Sequence, residues 1–204
     1  MACKHIITIA RQFGSGGRAI GEALADKLGI KCYDRELISI AAKESGVDPE
    51  VFNSVDEKAA NSLLYSLSMG LFSFGSSYDA GNLPVNDRLY LLQHKIIKKI
   101  AQEGPCVFVG RCADYILRDR GDVVSIYICA DLGYRIKRAV EQKEINENKA
   151  EQAVLKTDKS RANYYNYYSG KKWGQPENYD FCLNRTRLSD EQAVKVIEDY
   201  LSII

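Results

Sequence analysis

Residues 11–18 read Arg-Gln-Phe-Gly-Ser-Gly-Gly-Arg and directly follow a short β-branched run, His-Ile-Ile-Thr-Ile-Ala, at residues 5–10. A strand, a glycine-rich turn and then a helix form the arrangement that cradles a phosphate chain. Turn amides point inward and the helix N-terminus adds a favourable dipole. Gly14, Gly16 and Gly17 bring the backbone close to an anion with no Cβ between, and Ser15 adds a hydroxyl.

The common phosphate-loop pattern is G-x-x-x-x-G-K-[ST]. Laid on this chain it puts Arg11 at the first glycine, Gly16 at the second, Gly17 at the lysine and Arg18 at the Ser/Thr. The positive charge for the β- and γ-phosphates must then come from Arg18 or Arg11, and arginine can supply it with bidentate geometry. Without the Ser/Thr hydroxyl, a magnesium ion carried by ATP relies on water or on Asp34.

Phosphoryl transfer asks for charge neutralisation and in-line positioning more than for acid–base chemistry. Arg18, Arg111, Arg138 and Arg161 offer that in a chain whose formal net charge is only +1. Arg111 follows the apolar run Cys106–Val109 and Asp34 ends the run Ile30–Tyr33, where α/β sheets bind ligands. Each has a plainer reading, Asp34 as a helix cap and Arg135 and Arg138 as solvated charges on a helix.

Stepping along the chain, Ile20, Leu24 and Leu28 share a helix face stopped by Gly29, and a helix is expected over 35–44. Residues 45–85 are rich in Gly, Ser and Asn and read as an insertion over the site or a helical hairpin completing the core. Leu89, Leu92, Ile96 and Ile100 mark another helix with Asn86 as its N-cap. Strands are expected at 106–109, 123–129 and 179–183, a long charged helix from Tyr134, and a terminal helix opened by the capping box Ser189–Gln192. Alternating strands and helices predict an α/β fold, a five-stranded parallel sheet with helices on both faces.

Composition, 46% hydrophobic and 27% charged, is that of a folded domain. The N-terminus lacks a secretory pattern and no apolar run is long enough to span a bilayer, so the expectation is a cytoplasmic protein without a membrane partner. Six cysteines without C-x-x-C spacing read as reduced thiols rather than a zinc site or disulfides. The block Tyr164-Tyr165-x-Tyr167-Tyr168 before Lys171, Lys172 and Trp173 could stack single-stranded bases, but tyrosines at these spacings more commonly pack a helix on the body. Near-neutral charge also argues against a nucleic-acid partner.

Five blocks in order, 9–18, 33–38 (Tyr-Asp-Arg-Glu-Leu-Ile), 108–114 (Phe-Val-Gly-Arg-Cys-Ala-Asp), 158–165 (Asp-Lys-Ser-Arg-Ala-Asn-Tyr-Tyr) and 173–180 (Trp-Gly-Gln-Pro-Glu-Asn-Tyr-Asp), resemble the cytidylate kinase-like family of P-loop kinases. The resemblance implies a nucleoside-monophosphate-kinase fold with a helical monophosphate-binding insertion at about 36–85 and a lid at about 140–172. It implies ATP and Mg²⁺ as cofactors and transfer of the γ-phosphoryl to a CMP- or dCMP-like acceptor. By this resemblance Asp34 borders the reaction centre and Gly110-Arg111 holds the acceptor, with Asp114 nearby. Asp158 and Arg161 match the D-x-x-R of the phosphoryl-clamping lid, preceded by Arg135 and Arg138. The base-reading aspartate of the family is Cys112 here, which opens a non-nucleotide acceptor. The missing lysine opens a nucleotide-binding protein without kinase activity.

Overall fold

The computed structural model describes residues 3–34, 85–142 and 144–204. The helix expected over 35–44 and nearly all of the 36–85 insertion lie outside the described residues. In chain order the elements are β1 (Ile6–Arg11), α1 (Gly17–Leu28), β2 (Lys31–Tyr33), α2 (Val85–Glu103), β3 (Cys106–Val109) and α3 (Ala113–Ile116). They continue with β4 (Val123–Cys129), α4 (Leu132–Glu141), α5 (Ala150–Ser169), β5 (Phe181–Asn184) and α6 (Asp190–Ile203).

The five strands form one parallel sheet in the order β2-β3-β1-β4-β5. β1 is central, pairing Ile7 with Val107 on one side and with Val124 on the other. The strand order reverses at β1, the topological switch point where α/β sheets open a crevice at their carboxyl ends. Alternation along the strands sorts the core into two layers. Ile6 and Phe108 face Ile96, Ile97 and Ile100 of α2, whereas Ile7, Ile9, Val107 and Val109 face Ile20 and Leu24 of α1 and Val194 and Ile197 of α6. Each such fully buried aliphatic side chain contributes about 1.5–3 kcal/mol.

The ends of the elements follow local chemistry. Gly29, at φ 67°, ends α1 by donating its N–H to Ala25 and Asp26 carbonyls. The Ser189 hydroxyl accepts from Gln192 N (3.2 Å) and the Gln192 side chain accepts from Ser189 N (2.9 Å), completing the expected capping box.

Several boundaries differ from expectation, among them β5, which spans Phe181–Asn184 rather than 179–183. β1 runs on to Arg11, because Arg11 still pairs with Ile128. Asn86 lies inside α2 rather than capping it. The single charged helix expected from Tyr134 is two: α4 ends at Glu141, and Asn146 opens a 3₁₀ turn, its side chain accepting from Asn148 N, before α5 begins. Among the described residues no helix is long and apolar enough to cross a membrane, and all six cysteines are free thiols.

Candidate functional site

The turn between β1 and α1 is set by two glycines in the left-handed region, Gly14 (φ 73°) and Gly16 (φ 80°). Gly16 is the N-cap of α1, with no side-chain cap and no acidic residue in the first turn. The first intrahelical bond is Ile20 N to Gly16 O at 3.0 Å, so the amides of Gly17, Arg18 and Ala19 lack helical acceptors. Gly17 packs against the Arg11 side chain with no room for a Cβ, and Gly14 lies on the carbonyl of Arg135. The Ser15 hydroxyl, expected to face a ligand, is fully buried and donates to Gln12 O at 2.8 Å, bracing the turn from within. Gln12 ties the turn to β4, its N–H donating to Ile128 O (3.0 Å) and its side chain accepting from Ala130 N (3.1 Å).

The turn opens into a cleft of about 970 Å³ at the carboxyl edge of the sheet. Six cationic side chains line it, from Arg11, Arg18, Arg111, Arg138, Lys156 and Arg161, against four carboxylates, Glu22, Asp34, Asp114 and Glu144. Such an excess suits a polyanion.

Asp34, 9% exposed, gathers two of the arginines: Arg11 Nη2 donates to Oδ1 at 3.3 Å, and Arg18 Nε lies 3.3 Å from Oδ2. Arg18 also donates to Glu22 at 2.9 Å, and that hydrogen bond raises its already high pKa. Arg161, on α5, donates to Arg11 O (3.0 Å), and its guanidinium lies 5.6 Å from the centre of the Phe13 ring. Burial lowers its pKa, against the opposing influence of Asp158 and Asp34.

At the end of β3 the backbone makes an unusual turn. Gly110, Arg111 and Cys112 take φ of 77°, 61° and 54° in succession. The left-handed conformation costs a non-glycine residue roughly 1–2 kcal/mol, and strain of this kind concentrates at functional sites. Asp114 then accepts from the Tyr165 hydroxyl at 2.7 Å, and burial raises its pKa. Cys112 is 4% exposed and burial raises its thiol pKa strongly, so it is a packed thiol rather than a nucleophile.

The expected site residues therefore divide. Arg11, Gly14, Gly16, Arg18, Asp34, Gly110, Arg111, Asp114, Arg138 and Arg161 line one cleft, whereas Gly17 packs behind Arg11 and Ser15 is buried within the turn. Arg135 is 5% exposed and turned inward, donating to Ala130 O (3.0 Å), Phe13 O (3.3 Å) and Asp158. Asp158 commits its second oxygen to Phe13 N at 2.7 Å. Arg138 donates to Asp190 at 3.2 Å.

Two features went unread in the sequence. Ala153, Lys156, Thr157 and Ser160 on α5 face the cleft, and their i, i+3, i+4, i+7 spacing is a helix face legible in retrospect. Arg185, immediately after β5 and 2% exposed, pairs with Asp190, and its guanidinium leaves no space for a Cβ at Gly16. The strand-end logic applied to Arg111 would have found it.

The tyrosine block packs on the body: Tyr168 stacks on Tyr90 of α2 with ring centres 3.9 Å apart, and Tyr164 donates to Gln93 at 3.2 Å. Tyr127, Trp173 and Tyr179 form a second cluster beside β4.

A comparison with curated proteins found no match. Among solved structures, the chain resembles an uncharacterized protein from Eubacterium ventriosum at 28% identity and TM-score 0.70, covering 97% of this chain and 98% of that one. A shikimate kinase from Acinetobacter baumannii in complex with shikimate matches at 12% identity and TM-score 0.54, covering 99% and 96%. A gluconokinase from Sinorhizobium meliloti matches at 12% and 0.54, covering 100% and 94%. At such identities these two kinases attest the fold, that of the P-loop kinases. The family model of the cytidylate kinase-like family matches residues 6–187, from the first residue of β1 to beyond β5, and the chain belongs to that family.

Proposed function

We propose that the protein is an ATP-dependent phosphotransferase that moves the γ-phosphoryl group of ATP to a small acceptor, a nucleoside monophosphate of the CMP or dCMP type. The observation that carries the reading is the juxtaposition in one cleft of an uncapped helix N-terminus behind a glycine turn with Arg11, Arg18, Arg111 and Arg161. The turn takes the phosphate chain of ATP on the amides of Gly17, Arg18 and Ala19 at the start of α1. Arg18 and Arg11 supply the charge that a turn lysine would give, exchanging their contacts with Asp34 for phosphate oxygens. Arg161 reaches the transferring group from α5, which acts as the lid. The strained Gly110-Arg111 corner holds the acceptor phosphate on the other side, beside Asp114.

Magnesium carried by ATP would supply charge neutralisation to the phosphates. Among the described residues no group of three or more His, Cys, Asp or Glu side chains forms a metal site. Asp34, in the cleft beside both turn arginines, is the carboxylate suited to hold a magnesium-bound water.

The test is a coupled assay of ADP release with Mg²⁺ against CMP, dCMP, UMP and a wider acceptor panel. Acceptor-dependent turnover supports the reading, and none with any acceptor sinks it. A second reading, nucleotide binding without transfer, is favoured by Gly17 at the lysine position. It predicts ATP binding by calorimetry with no turnover.

A further inference from the structure

We propose that Asp158 is a positioning residue: together with Arg135 it presets the phosphate-binding turn from helix α5. The inference rests on the turn being the nucleotide site.

The Phe13–Gly14 half of the turn hangs on this pair. Asp158 Oδ1 accepts from Phe13 N at 2.7 Å and Oδ2 accepts from Arg135 Nη1, which also donates to Phe13 O at 3.3 Å. One side chain thus takes the N–H of Phe13 and the other its C=O, so the peptide units on both sides of this residue are held. Arg135 is itself fixed, by its bond to Ala130 O and by Gly14 packed on its own carbonyl. Three residues further along α5, Arg161 holds Arg11 O at 3.0 Å. Helix α5 therefore grips the backbone before and within the turn at two points, 11 and 13, one helical turn apart on its own face.

Charge explains why the pair must be a pair. A lone carboxylate hydrogen-bonded to a phosphate-binding turn would repel the phosphates it is meant to seat. Arg135, buried and salt-bridged to Asp158, cancels that charge in place. The turn gains an anchor that is strong because it is charge-assisted yet presents no net charge to the ligand. With both oxygens occupied, Asp158 acts through the turn rather than on the transferring group.

This yields a distinctive pattern for magnesium-ADP binding measured by calorimetry on the full chain. Asp158→Ala weakens ADP on the order of 10- to 100-fold, because the charge-assisted hydrogen bond to Phe13 N is lost together with the partner of Arg135. Arg135→Met weakens it further, because an unpaired carboxylate is left beside the phosphates. The double variant Arg135→Met/Asp158→Ala binds better than Arg135→Met alone, since the unpaired charge is gone. Asp158→Asn, of the same size and still able to offer one oxygen, lies between wild type and Asp158→Ala, and carries the test should the alanine variant fail to fold. Thermal midpoints are recorded alongside, because a purely structural role lowers the midpoint and leaves the Kd of folded protein where it was. Unchanged ADP affinity in the Asp158 variants overturns the assignment. Tighter binding also overturns it, since the carboxylate would then be competing with phosphate for the turn. A wild-type protein that binds no nucleotide removes the premise, an outcome distinct from either.

Discussion

Arg18→Ala separates the charge that the turn needs for chemistry from the charge that merely decorates the helix. The Arg18 side chain is 51% exposed and its partner Glu22 48%, one helical turn apart. An exposed pair of this type contributes about 0.3–0.5 kcal/mol. Asp34 loses the Arg18 contact and keeps Arg11 at 3.3 Å. For a chain of this length about 1 kcal/mol corresponds to roughly 2–4 °C of Tm, so the variant should melt within about 2 °C of wild type. Catalysis is expected to respond far more. An electrostatic contact to a transferring phosphoryl group contributes on the order of 100-fold in rate, which is about 2.7 kcal/mol of barrier. The assay is ADP release at saturating acceptor over a range of ATP concentrations, with thermal unfolding by circular dichroism on the same preparations. Arg18→Lys, which keeps the charge and loses the planar fork, should recover part of the rate. Turnover of Arg18→Ala within threefold of wild type would refute the assignment of the missing lysine's charge to Arg18. A fall in Tm beyond 5 °C would show instead that Arg18 is structural.

Two glycines with similar positive φ should respond differently to alanine. Gly29 (φ 67°) faces open space, so Gly29→Ala costs only the left-handed strain of about 1–2 kcal/mol and leaves nucleotide binding intact. Gly14→Ala adds a collision with the Arg135 carbonyl and should abolish ADP binding measured by calorimetry. Burial raises the pKa of Asp114, so its ionisation opposes folding: the penalty is absent below the unfolded pKa and is fully present above the raised folded one. Asp114→Asn should therefore gain stability relative to wild type as pH rises from about 3.5 to 7.5, read as the difference in Tm between the two proteins. A constant difference across that range would refute the shift.

Much of this protein is legible in the order of its residues. The parallel sheet follows from apolar β-branched runs alternating with helix-period segments, and the turn from a strand, three glycines and a helix in succession. Both rest on short-range rules, since a left-handed backbone favours glycine and an uncapped helix N-terminus attracts an anion. The termini of α1 and α6 were likewise readable, because Gly29 and the Ser189–Gln192 box act within a few residues.

What the linear order could not decide is how charges pair. Arg135 and Asp158 are 23 residues apart, and Arg138 and Asp190 are 52 apart. Whether a given arginine meets a carboxylate, a carbonyl or open cleft depends on packing between α4, α5 and the end of β5. Arg135 and Arg161 carry the same guanidinium in the same charged region, yet one is buried behind the turn and the other lines the cleft. The sheet edge and its glycine turn are properties of local sequence. The placement of each arginine around them is a property of the tertiary structure, because Coulomb interactions act through space and the chain's order carries no record of those distances.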